Sequence, residues 1–158
     1  MKMYLVTHGD RAYGKDPHHT AEGLDQLMRI VLPDDIACVV VGTGFRFEEV
    51  YQFTGAKYLN VPIWSSPFCG SSDSLDRTGM IVVLGSTGRL VETHEYMGLD
   101  VPCFDAWAFI ASHSDRTLFC AGAELMLALS KGCANPPKIE KASLYEIDLE
   151  AKTIRKIS

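Results

Sequence analysis

The amino-acid sequence predicts an α/β protein, a three-layer α/β/α sandwich with a mostly parallel central sheet. Apolar runs of strand length alternate with segments in which apolar residues recur at helical spacing, as in βαβ units. Residues 36–41 are apolar without interruption, which is typical of a strand buried on both faces of a parallel sheet. The length of 158 residues and a hydrophobic fraction of 47% suit one domain that spans residues 1–158.

The first half of the chain predicts the order strand, helix, strand, helix, strand. Residues 3–7 form a short apolar run, and a polar loop then leads to a helix for which Thr20 is a suitable N-cap. Five apolar residues place that helix by their spacing: Leu24, Leu27, Met28, Val31 and Leu32. After the strand at 36–41, Gly42-Thr43-Gly44 ends the pattern, residues 45–53 predict a helix, and residues 57–63 predict a further strand.

The second half is predicted to continue this alternation after a long polar segment. Serine, glycine and aspartate dominate residues 65–76, which predicts a loop. Residues 80–93 suit either a hairpin or a strand that leads through a turn into a helix. The remaining predicted elements are a helix over 104–113, a strand over 116–120, a helix over 124–131 and a final strand over 143–148.

Composition and charge argue against several classes of partner and cofactor. A formal net charge of −5, with no run of lysine or arginine, lacks the positive surface that holds a nucleic-acid backbone. The five cysteines are isolated and odd in number, so neither a complete disulfide framework nor a metal site is predicted, and no cofactor is expected. No apolar stretch reaches membrane-spanning length and residues 1–9 lack a secretory signal pattern, so a cytoplasmic protein without membrane attachment is expected. The oligomeric state stays open.

His8 is the first candidate for chemistry because it directly follows the first predicted strand. Open α/β sheets present reactive groups at the carboxyl ends of their strands. Gly9 permits a sharp turn and the close approach of a ligand to the backbone. A neutral imidazole at this position is able to attack phosphorus and form a phosphohistidine. A histidine at a strand end is also common as a structural hydrogen-bonding residue, so position alone does not decide its role.

Three segments, in the same order along the chain, resemble the histidine phosphatase (phosphoglycerate mutase-like) family. The strand ending in His8-Gly9, followed by Thr20-x-x-Gly23-x-x-Gln26, is similar to that family's Arg-His-Gly strand end and its Leu-Thr-x-x-Gly-x-x-Gln element. Residues 39–47 resemble its second strand, Ser-Pro turn and arginine-bearing helix, and residues 117–125 resemble the late strand that ends in Ser-His-Gly. The resemblance implies that His8 accepts phosphate. The residues predicted to contact the phosphate are Thr7, Gly9, Arg11, Arg46 and Gly122.

Three departures from the family pattern fall on groups that hold or transfer phosphate. Thr7 stands in the place of the arginine before the nucleophilic histidine, and Phe47 stands in the place of the next arginine, beside Arg46. Ala121 stands in the place of the second histidine, and its methyl group donates no hydrogen bond. The catalytic set is therefore predicted to be depleted. Arg11 and Arg46 are the expected replacements, because both follow strands that end at the predicted site.

A general acid that protonates the leaving oxygen is expected from the middle of the chain, as in the family. Asp73 is the selected candidate, and Asp76 and Glu92 are the alternatives. His113 is expected before the late strand and away from the chemistry.

The leading hypothesis is a divergent histidine phosphatase-like protein that binds a phosphorylated small molecule or a phosphoprotein and turns it over slowly or not at all. The enzymatic alternative is an active phosphomonoesterase, a phosphoric monoester hydrolase, that uses His8 with Arg11 and Arg46 as a phosphate clamp. A nucleotide-binding module is the third hypothesis, suggested by Gly42-Thr43-Gly44 and Gly85-Ser86-Thr87-Gly88. Neither segment supplies both the third glycine and the acidic residue of the dinucleotide pattern.

Overall fold

The computed structural model describes residues 1–14, 16–66, 68–70 and 106–158. Within these ranges the chain forms six strands, four α-helices and a 3₁₀ turn at Ala56–Tyr58. In chain order the strands and helices are β1 (Lys2–Thr7), α1 (Ala21–Met28), β2 (Cys38–Val41), α2 (Phe45–Phe53), β3 (Ile63–Ser65), α3 (Ala106–Ala111), β4 (Thr117–Ala121), α4 (Ala123–Ser130), β5 (Leu144–Asp148) and β6 (Thr153–Lys156). The element predicted at 80–93, most of the loop at 65–76 and the first residues of the helix at 104–113 lie outside the described residues.

The six strands form one sheet in the order β3-β2-β4-β1-β5-β6. The four strands from β3 to β1 are parallel to one another, β5 is antiparallel to β1, and β6 is antiparallel to β5. The predicted mostly parallel sheet is therefore confirmed. No helix in the described part of the chain is both long and apolar enough to cross a membrane.

Alternate residues of the central strands supply the two faces of the sheet. In β1, Met3 and Leu5 pack on one face, and Tyr4 and Val6 pack on the other. Residues of α3 and α4 cover the first face, whereas residues of α1 and α2 cover the second. Both faces are buried under helices, and the three-layer α/β/α architecture is confirmed.

Helix α1 is shorter than the apolar spacing predicts. It begins after Thr20, whose Oγ1 accepts a hydrogen bond from the Gly23 N–H at 3.1 Å, as expected of an N-cap. The helix ends at Met28, and Val31, predicted on its buried face, is 76% exposed. The last turn tightens, because the N–H groups of residues 29 and 30 donate to carbonyls three residues back.

The strand predicted at 57–63 is wrong. The chain forms the 3₁₀ turn there, and only Ile63–Ser65 pairs with β2. Asn60 has a positive φ of 56°, which interrupts extended backbone, and Pro62 has no N–H to donate to a neighbouring strand. Leu59 and Val61, which suggested the strand, pack against the core from a loop.

The strand predicted at 143–148 corresponds to β5, but it is not the final strand. Strand β6 follows it and is the outermost strand on that side of the sheet. Ile154 alone is buried among the residues of β6, so no apolar run indicates this strand in the sequence. A tight turn joins the pair, in which Asp148 Oδ1 accepts a hydrogen bond from the Ala151 N–H at 3.0 Å.

The carboxyl ends of β1, β2 and β4 meet at one edge of the sheet. Thr7 pairs in register with Ala121, so His8 and Gly122 both follow directly at this edge. Residues 68–70 cross the edge, because Gly70 O accepts a hydrogen bond from Thr43 N at 2.7 Å and Cys69 O accepts one from Gly122 N at 3.0 Å. The turns after three strands therefore surround a common region.

Candidate functional site

The His8 ring is held by a hydrogen bond to the backbone of the next residue. Its Nδ1 lies 2.9 Å from the Gly9 carbonyl oxygen. Because a carbonyl only accepts, Nδ1 carries the proton and Nε2 keeps its lone pair. Burial lowers the pKa of His8, the Gly9 carbonyl raises it, and the charges of Arg46, His19 and Arg11 lower it. The net lowering keeps the imidazole neutral at pH 7, which is the nucleophilic state.

The loop after His8 is fastened to α1 by the motif Thr20-x-x-Gly23-x-x-Gln26. Gln26 contacts Asp10 twice: its Oε1 accepts the Asp10 backbone N–H at 3.0 Å, and its Nε2 donates to Asp10 Oδ2 at 2.8 Å. The Thr20 N–H donates to the Asp10 carbonyl at 3.0 Å. A Cβ on Gly23 would lie 2.0 Å from that carbonyl oxygen, so only glycine permits this approach. The motif therefore fixes the backbone that follows His8.

A buried pair, His19 and Glu49, holds the other side of Gly9. The His19 side chain is 0% exposed, and its Nε2 accepts the Gly9 N–H at 2.9 Å. Its Nδ1 lies 3.1 Å from Glu49 Oε1, which also accepts the His19 backbone N–H at 2.8 Å. Since Nε2 accepts, the proton of the neutral ring lies on Nδ1 and is donated to Glu49.

The titration of this pair follows from its burial and its partners. Burial lowers the pKa of His19, and this effect outweighs the hydrogen bond and the charge of Glu49, which raise it. Burial raises the pKa of Glu49, whereas hydrogen bonds from His19 and His18 lower it. The hydrogen bonds together have the larger effect, so the pKa of Glu49 is lowered overall. At neutral pH the pair is therefore a neutral imidazole against a carboxylate.

An open cavity of about 780 Å³ lies beside His8. Arg11 and Lys141 bring positive charge to its walls, and Asp10 and Glu22 bring negative charge. Lys141 Nζ donates to Asp10 Oδ1 at 2.7 Å. Hydrogen bonds from Lys141 and then from Gln26 lower the pKa of Asp10, so this carboxyl is ionised at neutral pH and does not suit the role of general acid.

Arg46 and Phe47 lie in the first turn of α2, beside His8. The Phe47 ring is fully buried and meets the His8 ring edge-on, with 6.3 Å between their centroids. The Arg46 guanidinium lies 4.3 Å from the centroid of the Phe47 ring, within cation–π distance. Burial lowers the pKa of Arg46. The positive charge of Arg11, which lies in the same region, lowers it further.

The Phe47 ring fills the space between the three turns that contain Gly42, Gly70 and Gly122. A Cβ on Gly70 would lie 2.6 Å from its Cε1 and Cζ, one on Gly42 would lie 2.7 Å from its Cγ, and one on Gly122 would lie 3.4 Å from its Cζ. An apolar ring therefore occupies the centre of the region where the family pattern has a phosphate-binding arginine.

Three of the predicted phosphate contacts are engaged in hydrogen bonds within the protein. Thr7 Oγ1 donates to the Glu140 carbonyl at 2.7 Å and accepts the Ser143 N–H at 3.0 Å. The Gly9 N–H donates to His19, and the Gly122 N–H donates to the Cys69 carbonyl. These groups stabilise the turns around His8, and contact with phosphate would require each of them to change its partner.

The other residues selected from the sequence differ in their position relative to His8. Arg11 shares the cavity wall with it, and Ala121 is 0% exposed in the core cluster that includes residues of α4. Asp73 and its alternatives, Asp76 and Glu92, lie outside the described residues. His113 follows α3 and lines a cavity with Cys38, the first residue of β2, at the opposite edge of the sheet from His8.

Sequence reasoning missed His19, Glu49 and Lys141. In the described ranges, no group of three or more His, Cys, Asp or Glu side chains is arranged to hold a metal ion. One signal for His19 was available in the sequence. His19 directly precedes the N-cap Thr20, and this segment returns to the loop after His8. Lys141 lies 131 residues from Asp10, and no local pattern indicates their contact.

Solved structures of known proteins share the fold of this chain over nearly their full length. The protein TTHB049 from Thermus thermophilus matches with a TM-score of 0.65 and 16% identity, over 100% of this chain and 99% of that one. Phosphoglycerate mutase from the same organism matches with a TM-score of 0.64 and 18% identity, over the same shares of the two chains. A protein from Agrobacterium tumefaciens, provisionally assigned as the phosphohistidine phosphatase SixA, matches at 0.56 and 11%, over 99% of this chain and 95% of that one. The chain has the phosphoglycerate mutase-like fold.

The phosphoglycerate mutase-like fold confirms the architecture that the sequence motifs implied. No protein-family model and no curated protein matches the sequence itself. Identities between 11% and 18% agree with a divergent sequence whose departures include Thr7, Phe47 and Ala121. The chemistry of the site must therefore be argued from the residues around His8.

Proposed function

We propose that this chain binds the phosphoryl group of a phosphorylated small molecule or a phosphoprotein at His8, and that it turns such a ligand over slowly or not at all. One observation carries the proposal. The neutral His8 ring and the cations Arg11 and Lys141 line the same open cavity, at the edge where the strands of this fold end.

Phosphate binding at this place is supported by charge and by the state of the imidazole. A phosphate dianion is held by positive side chains that meet its oxygens, and Arg11 and Lys141 are both within the cavity wall. In the neutral His8 ring, Nε2 keeps a lone pair that can attack phosphorus, and only in the imidazolium does Nε2 donate a proton to a phosphate oxygen. Asp10 balances part of the charge, because it is ion-paired with Lys141 at 2.7 Å.

Weak or absent turnover follows from the groups that stand where transfer needs charge. Phe47 is an apolar ring, Ala121 is a buried methyl, and the Thr7 hydroxyl is hydrogen-bonded to the turn before β5. The loss of one preorganised donor typically costs a factor of about 10²–10³ in rate. The effects of residues that act as a unit are not additive, so the combined loss of rate is not the product of the single losses.

The active phosphomonoesterase is the second candidate, and the nearness of Arg46 favours it. Arg46 and Arg11 both lower the pKa of His8, so two guanidinium groups act on this ring. In that reaction Nε2 of His8 would attack phosphorus while the bond to the leaving oxygen breaks, an acid would protonate that oxygen, and water would then cleave the phosphohistidine. Asp73 is our candidate for the acid.

A nucleotide-binding module has less support at the first of its two glycine turns. Gly42 lies against the Phe47 ring, and the first N–H of α2, at Phe45, donates to Asp16 Oδ1 at 2.8 Å. A carboxylate of the chain itself therefore occupies this helix N-terminus, where a phosphate would otherwise bind.

The proposal is tested by calorimetric titration of inorganic phosphate and by phosphomonoester turnover with the same preparations. His8→Ala and Arg11→Gln are expected to weaken phosphate binding, whereas Arg29→Gln, an equal change of charge at the end of α1, is not. Binding that is the same in all four proteins would contradict the proposal. Turnover of about 1 per second or more in the natural protein, lost in His8→Ala, would establish the phosphomonoesterase instead.

A further inference from the structure

We propose that His19 and Glu49 form a positioning pair that fixes the peptide after His8 and thereby sets the direction of the His8 ring. The inference rests on the proposed phosphate site at His8 and adds to it two residues that lie behind the site. Neither residue lines the cavity beside His8.

The contacts form a continuous chain from Glu49 to the His8 ring. Glu49 Oε1 accepts from His19 Nδ1, and His19 Nε2 accepts the Gly9 N–H, which belongs to the peptide between residues 8 and 9. The next peptide presents the Gly9 carbonyl to His8 Nδ1, and its N–H donates to Gln26 Oε1. Both peptides that follow His8 are thus held by side chains, one by His19 and one by Gln26.

The burial of this pair indicates that it does more than fill space. The His19 side chain is 0% exposed and that of Glu49 is 15% exposed. An apolar side chain would occupy the same volume without the cost of removing an imidazole and a carboxylate from water. Both ring nitrogens of His19 have partners, and a fully satisfied buried network gives a unique, rigid arrangement.

The arrangement depends on the protonation state of His19. A proton on Nε2 would face the Gly9 N–H, so two donors would oppose each other and the Gly9 contact would be lost. Charged and titratable groups of two segments face this ring or its partner: Glu49 and Arg46 on α2, and His8, Asp10 and His18 on the loop after β1. Arg11 pairs with His19 through the backbone, and its charge acts on His8. Acidification is therefore expected to release the peptide after His8.

Two variants and one control separate positioning from packing. His19→Gln keeps an acceptor near the position of Nε2 but does not titrate, and His19→Leu removes the acceptor. His18→Gln is the matched control, because His18 contacts the other oxygen of Glu49 and is 59% exposed. The readouts are the His8 ring tautomer, from long-range proton–nitrogen correlation spectra at pH 7, and the affinity for inorganic phosphate.

The natural protein, His19→Gln and His18→Gln are expected to show His8 protonated on Nδ1. His19→Leu is expected to show a mixture of tautomers. It is also expected to lose about tenfold in phosphate affinity, because a misdirected His8 ring would lose its hydrogen bond to the charged phosphate. A single Nδ1–H tautomer in a folded His19→Leu protein would overturn the inference. If the natural protein binds no phosphate, the proposed function fails, while the tautomer still tests the pair.

A measurement on the natural protein covers the case in which His19→Leu does not fold. The Gly9 amide resonance, followed against pH, is expected to move with the same midpoint as the His19 ring resonances. In His19→Gln this movement should be absent. A Gly9 amide that does not follow the titration of His19, or that titrates equally in His19→Gln, would overturn the inference.

Discussion

Replacement of Phe47 tests whether its ring organises the three turns at the His8 edge. The side chain is fully buried, so Phe47→Ala is expected to lower the free energy of unfolding by about 3–5 kcal/mol. Gly70 has no positive φ, and a Cβ there would meet the Phe47 ring at 2.6 Å, so Gly70→Ala is expected to cost about 1–3 kcal/mol through overpacking. In a chain of this length, 1 kcal/mol corresponds to about 2–4 °C in Tm.

The double variant distinguishes the ring from the rest of the surroundings. Without the ring, the new methyl at residue 70 meets mainly the Gly122 nitrogen at 3.0 Å. Gly70→Ala should therefore cost less in the Phe47→Ala protein, with a coupling free energy of about 0.5–3 kcal/mol. Urea unfolding, with comparison of midpoints and m values, measures each term.

Gly132→Ala provides the control for this cycle. A Cβ on Gly132 would lie 2.4 Å from Trp107 Nε1. Trp107 packs against the core on the opposite face of the sheet from Phe47, so the cost of Gly132→Ala should add to that of Phe47→Ala. Strict additivity of Gly70→Ala with Phe47→Ala would refute the reasoning about the ring.

Three further predictions concern the loop after His8. Gly23→Ala puts a Cβ 2.0 Å from the Asp10 carbonyl oxygen, so it should destabilise the protein by at least about 1–3 kcal/mol and speed hydrogen exchange of the Asp10 amide; an unchanged urea midpoint would contradict this. The pKa values of His8 and His19 are lowered from 6.5 in the folded protein, so the unfolded chain takes up protons first and the free energy of unfolding should fall as pH drops through about 6.5 toward the folded pKa values. His19→Gln should show a shallower fall in urea titrations between pH 8 and 5. Lys141→Gln removes the donor to Asp10, so the Asp10 pKa should rise in a carboxyl NMR titration and phosphate affinity should fall.

The sequence predicts those parts of the fold that have a local signal, such as a buried apolar run, a glycine turn or an N-cap residue. Strands β1, β2 and β4 are buried along nearly their whole length, so each appears as an apolar run. Helix α2 has the predicted bounds, because Gly44 with a φ of 143° separates it sharply from the strand before it. Thr20 acts as the predicted N-cap because its hydroxyl meets the Gly23 N–H within one turn.

The parts that the sequence does not predict depend on distant partners. Strand β6 is held by pairing with β5 although most of its residues are exposed, and no local periodicity reports such pairing. The position of Thr7 directly before His8 predicts a phosphate contact for its hydroxyl, but its partners are the Glu140 carbonyl and the Ser143 N–H, which lie 133 and 136 residues away in sequence. His19 and Glu49 are 30 residues apart and become a pair only when the loop after β1 folds against α2.

The pKa of His8, measured by NMR with and without saturating inorganic phosphate, tests the central claim most directly. Phosphate bound beside the ring favours the imidazolium, so the account predicts that the pKa of His8 rises on binding. The rise should be smaller in Arg11→Gln at the same phosphate concentration, because less ligand binds. The ring resonances of His113, at the opposite edge of the sheet, should not respond to phosphate. A pKa of His8 that is unchanged by phosphate, or an equal response of the His113 resonances, would contradict the account.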